Sequence, residues 1–247
     1  MDVRNKMYKG QGIHVITALF TVEQGITKVL LIKRKNKPFE GDWVLTGGAL
    51  YNNEDLETGA LRELEEKTGI TGVSIKQFKA FGKVDRSPVM RMVAVGFVGI
   101  IDSKRVTVLR ETNNTTNADW FPIDKIPPLG FDHEEILQDA LVELQKQIVK
   151  TNILKGLFPD GVTMPELQKT YEAILNKKFD RRNFRKKLIK LDVIEDLDNI
   201  IGYFSFGVPR HKYLDHTHCI NLKVISRLKF IDLRIKLKKK IYFRELL

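Results

Sequence analysis

The stretch that decides the fold runs from Gly48 to Ile70 and reads GALYNNEDLETGALRELEEKTGI. Its second half predicts a helix over residues 54–67, because apolar residues recur there at helical spacing, at Leu56, Ala60, Leu61 and Leu64. Asn53 is the expected N-cap, and the two acidic residues after it suit a first helical turn. Gly69 is expected to end the helix.

Three positions of this helix share one face, because Glu63 is followed by Glu66 three residues on and by Lys67 four residues on. Carboxylates at all three positions would form an oxygen site for Mg²⁺, which could bridge and polarise a diphosphate. Lys67 changes the local charge by two units, and one unit-charge interaction at ~4 Å is worth roughly 4 kcal/mol at an effective dielectric near 20. We therefore expect weak Mg²⁺ binding and weak or absent hydrolysis. Glu63 and Glu66 are the candidate metal ligands and, with Arg62, the candidate catalytic residues.

The glycine, the acidic residues and their spacing resemble the signature of the Nudix family: Gly48-x5-Glu54-x7-Arg62-Glu63-Leu64-x-Glu66-Lys67-x-Gly69-Ile70. The one departure is Lys67, where the family has a glutamate. With the flanking strands the resemblance covers roughly residues 12–150. It implies an α+β fold with a Nudix-like α/β/α sandwich and a mixed sheet. A solvated acidic helix face without a site is the alternative for the same carboxylates.

Two further motifs, Phe81-Gly82-x-x-Asp85-Arg86-x-Pro88 and Phe131-Asp132-His133, resemble one Nudix branch in which a winged-helix DNA-binding domain follows the Nudix fold. That branch includes repressors of NAD metabolism that sense ADP-ribose and regulators of sugar utilisation. The candidate ligand-binding residues are Phe39, Trp43, Gly47, Gly48, Asp85, Arg86 and His133. A loop salt bridge is the alternative role for Asp85 and Arg86, and packing at the start of a helix over residues 131–150 is the alternative for His133.

Residues 163–191 are predicted to form a helix, a short turn and a basic helix, with a Thr163–Glu166 capping box and Asp180 as the second N-cap. In the second helix the apolar residues point inward, at Phe184, Leu188 and Leu191. Such a helix can enter the major groove, where arginine binds guanine edges and asparagine binds adenine. The candidate DNA-binding residues are Arg181, Arg182, Asn183, Arg185 and Lys186. An ordinary solvated basic helix is the alternative.

Charge is distributed unevenly along the 247 residues, whose net charge is +11. Residues 1–150 carry a net +1, residues 151–202 a net +2 and residues 203–247 a net +8. We predict a ligand-sensing or hydrolase domain over 1–150, a winged helix over 151–202 and an atypical basic tail over 203–247. The tail is either an extra arm for DNA phosphates or a truncated or frameshifted wing.

The composition excludes several classes of protein. The 43% hydrophobic content is too high for a disordered chain, and no apolar run approaches the ~18 residues of a membrane span. A single cysteine, Cys219, excludes a disulfide framework and fits a reducing, cytoplasmic location.

Together these features predict a ligand-responsive transcriptional regulator with a degenerate Nudix effector domain. We expect it to bind operator DNA as a homodimer and to respond to ADP-ribose or a sugar derivative. The alternative is a Mg²⁺-dependent Nudix pyrophosphohydrolase acting on ADP-ribose or a related nucleoside diphosphate derivative. Mg²⁺ would be a cofactor only in that case, and Lys67 favours the sensor over the enzyme.

Overall fold

The computed structural model describes residues 11–159, 161–190, 194–195 and 219–222. The chain divides into two compact units, one formed by Met1–Glu23 and Thr27–Leu144, the other by Gln24–Ile26 and Gln145–Leu247. Within the described ranges, no helix is long and apolar enough to cross a membrane.

The first unit is built on a seven-stranded sheet. Its strands are β1 (Gln11–Glu23), β2 (Ile26–Arg34), β3 (Trp43–Val44), β4 (Thr46–Ala49), β5 (Ile75–Phe81), β6 (Arg91–Ile100) and β7 (Thr115–Pro122). The main path runs β3-β2-β1-β6-β5, while β4 pairs with β1 and β7 pairs with β2. Since β1 and β6 are parallel whereas β5 and β6 are antiparallel, the sheet is mixed, as predicted.

The core lies around β1, which is buried without interruption from Val15 to Thr21. A strand buried on both faces needs a covering layer on each side, and continuous apolar runs are typical of that position. On one face, Val15 and Leu19 pack with Ala60 and Leu64 of α1 (Leu56–Thr68). The predicted fold class, an α+β sandwich with a mixed sheet, is confirmed.

Helix α1 starts later than the sequence suggested. Its N-cap is Asp55, whose carboxylate accepts a hydrogen bond from the Thr58 backbone N–H at 2.9 Å, so the prediction of Asn53 was wrong. Glu54 consequently lies in the turn before the helix, and from there its carboxylate binds Arg62 on α1. Gly69 ends the helix in the left-handed conformation, at φ 73°, as predicted.

Helix α2 covers His133–Lys150 and begins two residues after the predicted start. Phe131 has a φ of 60°, which is incompatible with a right-handed helix. The helix starts in the first unit and ends in the second.

The second unit contains α3 (Met164–Leu175), α4 (Arg181–Lys190) and a sheet of order β8-β10-β9, formed by Val162–Thr163, Cys219–Leu222 and Ile194–Glu195. The predicted Thr163–Glu166 capping box is present. The Tyr171 hydroxyl donates to the Ile148 carbonyl at 2.7 Å, and its ring meets Phe184 edge-on at 5.4 Å. This packing holds α4 against α3. Strand β10 comes from the range predicted as a tail, and Leu191 lies outside the described residues.

Candidate functional site

The glycine pair lies beside the acidic face of α1, because β4 pairs antiparallel with β1 in the register Val15↔Gly48 and Ile16↔Gly47. A Cβ at Gly48 would lie 2.2 Å from the carboxylate carbon and oxygens of Glu63. Real side chains never approach so closely, so position 48 must be glycine for the Glu63 carboxylate to rest against the backbone of β4. The candidate ligand residues Gly47 and Gly48 and the candidate metal ligand Glu63 are therefore in contact.

Glu63 is almost fully buried, at 6% exposure, and both of its oxygens have a cationic partner. Arg62 Nη1 lies 2.8 Å from Oε1, and Lys67 Nζ lies 2.8 Å from Oε2. A buried carboxylate needs such partners, because leaving it uncompensated in a low dielectric would be costly.

Lys67 has a second acceptor. Its ammonium also donates a hydrogen bond to the Gly47 carbonyl oxygen, and its side chain is only 12% exposed. The cation is therefore enclosed between a helix carboxylate and a strand carbonyl, both of which are oxygen donors suited to a hard metal ion. The residues present do not fit Mg²⁺ at this point, because the Lys67 ammonium occupies the oxygen atoms that would bind it. Nor do the described parts of the chain hold a group of three or more His, Cys, Asp or Glu side chains arranged for a metal.

Arg62 binds three carboxylates rather than one. It pairs with Glu54 through two bonds of 2.7 and 2.9 Å, with Glu63, and with Glu66 at 3.3 Å. Its guanidinium also donates to the Ala49 carbonyl and lies 3.8 Å from the Tyr51 ring centroid. Bonding to Arg62 lowers the pKa of Glu54 to about 2, and bonding to Glu54 raises the pKa of Arg62. Glu66, by contrast, is half exposed. The two predicted catalytic carboxylates, Glu63 and Glu66, therefore both bind Arg62 but differ in burial.

Arg86 and His133 both have partners within the protein. Arg86 is bound to the Asp132 carboxylate through two bonds of 2.8 and 2.9 Å and is almost completely buried. His133 Nδ1 accepts a hydrogen bond from the Leu45 backbone N–H at 3.0 Å. These contacts match the structural alternatives for the two residues, and their role as ligand contacts stays a prediction. Asp85, which was also predicted to bind the ligand, is exposed.

A cluster of aromatic side chains lies beside His133. Phe39 lies 4.4 Å from Phe131, and Phe131 stacks on His133 at 5.4 Å between ring centroids. The Arg34 guanidinium lies 5.1 Å from the centroid of Phe131. Phe39 and Phe131 each have a φ of 60°, a conformation that non-glycine residues adopt at a cost and that is enriched at functional sites. Trp43 is oriented differently and meets Phe121 edge-on at 4.7 Å.

Two of the candidate ligand-binding residues, Phe39 and His133, thus lie in one aromatic cluster, while Phe131 and Arg34, which connect them, were not among the candidates. Phe131 was visible within the Phe131-Asp132-His133 motif, whereas Arg34 had no local signal. Tyr51 and Glu54, which contact Arg62, were also missing from the candidate list, although Glu54 is part of the signature.

Several cations lie near the two histidines of this region. Burial first, and then the cations Arg86, Lys67 and Arg34, together lower the pKa of His14 to about 4, although the Glu63 carboxylate acts in the opposite direction. Burial lowers the pKa of His133 to about 3, again assisted by Arg86 and Arg34. Both histidines are therefore neutral near pH 7, and the surrounding cations make this region favourable for an anion.

In the second unit, α4 separates an apolar face from a basic face. Phe184 and Leu188 are buried, and the predicted DNA contacts are exposed except for the half-buried Arg185, namely Arg181, Arg182, Asn183 and Lys186. Asp180 caps the helix, since its carboxylate accepts from the Asn183 N–H at 2.9 Å. The layout matches the prediction for residues 181–188.

Two family models match the chain. The NUDIX domain model matches residues 12–140, and the model of the NrtR DNA-binding winged helix domain matches residues 155–201. The two matches follow each other along the chain in the order that the sequence motifs predicted.

Individual proteins resemble the chain in the same two parts. The ADPR responsive transcriptional repressor NtrR of Acinetobacter baylyi is 32% identical over 185 residues, which is 73% of each chain. The ADP-ribose pyrophosphatase of Methanocaldococcus jannaschii is 30% identical over 130 residues, covering 52% of this chain and 75% of that protein. The crystal structure of Shewanella oneidensis NrtR complexed with a 27mer DNA superimposes with a TM-score of 0.66 at 26% identity, covering 85% of this chain and 93% of that one.

Proposed function

Because this chain belongs to the Nudix family and carries the NrtR type of winged helix after its Nudix domain, we propose that it is a transcriptional repressor that responds to ADP-ribose. Residues 1–150 form the sensing domain and residues 151–202 the DNA-binding domain in this proposal. Operator DNA is bound by α4, and binding of ADP-ribose to the Nudix domain releases it.

The observation that carries the proposal is the two-faced structure of α4. Its apolar face is fixed by Phe184 and Leu188, so the exposed side chains at its N-terminal end are presented in a constant orientation. A recognition helix reads base edges through its N-terminal residues, which here are Arg181, Arg182 and Asn183. Arginine and asparagine are the residue types that pair bidentately with guanine and adenine.

Support for ADP-ribose comes from the chemistry of the first unit. A diphosphate is bound by cationic N–H donors, which Arg34, Lys67 and Arg86 offer around His14 although the last two are each paired with a carboxylate. An adenine ring needs an aromatic surface, and Phe39 and Phe131 lie together with their rings 4.4 Å apart. Two relatives whose names refer to ADP-ribose, one a repressor and one a hydrolase, share this domain.

Binding of the two ligands must be reciprocal. If ADP-ribose weakens DNA binding by a given factor, DNA weakens ADP-ribose binding by the same factor. Symmetric operators are read by two copies of a winged helix, so the proposed functional form is a homodimer.

The test is fluorescence anisotropy with a labelled duplex from upstream of the protein's own gene and a random duplex of equal length. We expect tighter binding of the upstream duplex, a steep decline with salt, and release by ADP-ribose but not by ribose 5-phosphate. Equal affinity for both duplexes would refute the repressor. Upstream-specific binding that ADP-ribose leaves unchanged would refute only the effector.

The second candidate function is hydrolysis of ADP-ribose or a related diphosphate, which the resemblance to the Methanocaldococcus jannaschii pyrophosphatase favours. Mg²⁺ is the cofactor expected for hydrolases of this family. The engaged Lys67 argues against that activity here. Release of AMP from ADP-ribose in the presence of Mg²⁺, measured by chromatography, decides between the two functions.

A further inference from the structure

Lys67 stands out among the charged residues of the site because its ammonium contacts two oxygen atoms from different elements, both of which accept its hydrogen bonds. Its ammonium is 2.8 Å from Glu63 Oε2 on α1 and donates to the Gly47 carbonyl on β4. It thus joins the helix to the glycine pair.

The charge of the site is nearly balanced as a result. Three carboxylates, Glu54, Glu63 and Glu66, are connected to two cations, Arg62 and Lys67, which leaves a net charge of −1. A glutamate at position 67 would make this charge −3. A divalent cation would then be attracted, whereas in the present chain it would have to displace a partly buried ammonium.

We infer that the Lys67 ammonium replaces the divalent metal ion of the site, so that the protein binds its diphosphate ligand without Mg²⁺. This inference rests on the proposed ADP-ribose response for the identity of the ligand, but not for the absence of metal binding. An ammonium has three N–H donors. Glu63 and Gly47 take two of them, and we assign the third to an anionic oxygen of the ligand.

The surroundings favour the same conclusion. Arg34 and Arg86 lie close enough to depress the pKa of both His14 and His133, and Lys67 acts on the same two histidines. Lys67 and Arg86 are each paired with a carboxylate, Glu63 and Asp132, so these cations offer N–H donors to a diphosphate without giving the region a large positive charge.

The first arm of the test uses the metal alone. Mn²⁺ binding to the full chain is followed by electron paramagnetic resonance, comparing the wild type with Lys67→Glu. We expect no saturable Mn²⁺ site in the wild type at millimolar metal, and binding at least about tenfold tighter in Lys67→Glu, since the substitution changes the local charge by two units. The exposed Lys79, which is paired with Asp139 at 2.5 Å, provides the matched control, and Lys79→Glu should not create a site.

The second arm uses ADP-ribose. Its Kd, measured by calorimetry, should be the same with EDTA and with Mg²⁺ in the wild type. In Lys67→Glu it should become weaker in EDTA and recover with Mg²⁺. Lys67→Met, which keeps the length but removes the charge, should weaken ADP-ribose binding at least about fivefold in both buffers. The thermal unfolding midpoint and the far-ultraviolet circular dichroism of each variant check that it is folded.

A tight Mn²⁺ site in the wild type, or a strong Mg²⁺ dependence of its ADP-ribose affinity, would overturn the inference. If the wild type binds no ADP-ribose in either buffer, the proposed effector is wrong, and the Mn²⁺ comparison alone still decides the role of Lys67. If Lys67→Glu does not fold, the Mn²⁺ measurement on Lys67→Met decides instead. Loss of the ammonium should then expose a weak site that is missing in the wild type.

Discussion

The Glu63 carboxylate rests against the α-carbon of Gly48, where a Cβ would lie 2.2 Å from the carboxylate atoms. The sheet register fixes Gly48 opposite Val15, and α1 is fixed by its packing on the core, so a Cβ at position 48 could be accommodated only by turning the Glu63 carboxylate away from β4. The pairing of the Glu63 carboxylate with both Arg62 and Lys67 depends on this contact, because the carboxylate could not reach both cations if it were displaced from β4.

Gly48→Ala is therefore expected to destabilise the first unit. Inserting one carbon into a closely packed site costs typically about 1–3 kcal/mol. The measurement is the free energy of unfolding in urea. Gly82→Ala is the matched control, because a Cβ at Gly82 would have as its nearest neighbour Arg91 Nη2 at 3.9 Å, and we expect a change within about 0.5 kcal/mol. Equal values for the two variants would contradict the proposed contact.

The buried His133 predicts that stability falls on mild acidification. Its pKa is about 3 in the folded protein, lowered by burial and by Arg86, against an ordinary value of 6.5. Between these values the unfolded chain binds more protons, so stability is present above pH 6.5 and is lost as the pH falls toward 3. From pH 7 to pH 5 the loss from this group is about 2 kcal/mol.

His133→Asn tests that assignment. The asparagine side-chain oxygen can accept the Leu45 N–H in place of Nδ1, but it does not titrate. The variant should therefore show a flatter dependence of unfolding free energy on pH between 7 and 5. An unchanged slope would indicate that His14, whose pKa is also lowered, accounts for the effect.

The Arg86–Asp132 pair predicts a structural cost that a pure ligand contact would not show. Arg86→Ala leaves the Asp132 carboxylate, 14% exposed, without its bidentate partner, and breaking such a pair costs about 3–5 kcal/mol. Adding Asp132→Asn should recover part of this loss, which a double-mutant cycle measures in urea unfolding. If Arg86→Ala keeps the wild-type stability but loses ADP-ribose binding, the residue serves the ligand rather than the fold.

The sequence predicted those parts of the site that depend on spacing within one element. The three- and four-residue intervals between Glu63, Glu66 and Lys67 placed them on one helix, and the resemblance to the Nudix family drawn from this motif is confirmed. The capping box of α3 was equally local. The basic face of α4 followed from the spacing of Phe184 and Leu188.

What could not be predicted depends on contacts between distant elements. The bond from Lys67 to the Gly47 carbonyl requires the β4 register, and Arg86 and Asp132 are 46 residues apart. The left-handed Phe131 delays the start of α2, although nothing in the sequence around an aromatic residue signals a positive φ. The sequence of strand β7, TTNADWFP, has little apolar alternation and gives no local strand signal, so this strand depends on its backbone pairing with β2.

The exposed face of α4 predicts two different effects on DNA binding. Arg182→Ala and Asn183→Ala should each reduce the preference for the upstream duplex over random DNA by about 1–3 kcal/mol, because side chains that read base edges carry sequence information. Lys186→Ala should weaken binding to both duplexes alike and lower the salt slope by about 1, as expected for a phosphate contact.

Lys125→Ala, which removes an exposed lysine of the first unit, is the charge-matched control and should change neither quantity. Anisotropy titrations at several salt concentrations measure both, and urea unfolding should show all four variants within about 0.5 kcal/mol of the wild type. An upstream preference that survives both Arg182→Ala and Asn183→Ala would remove α4 as the reader of the operator.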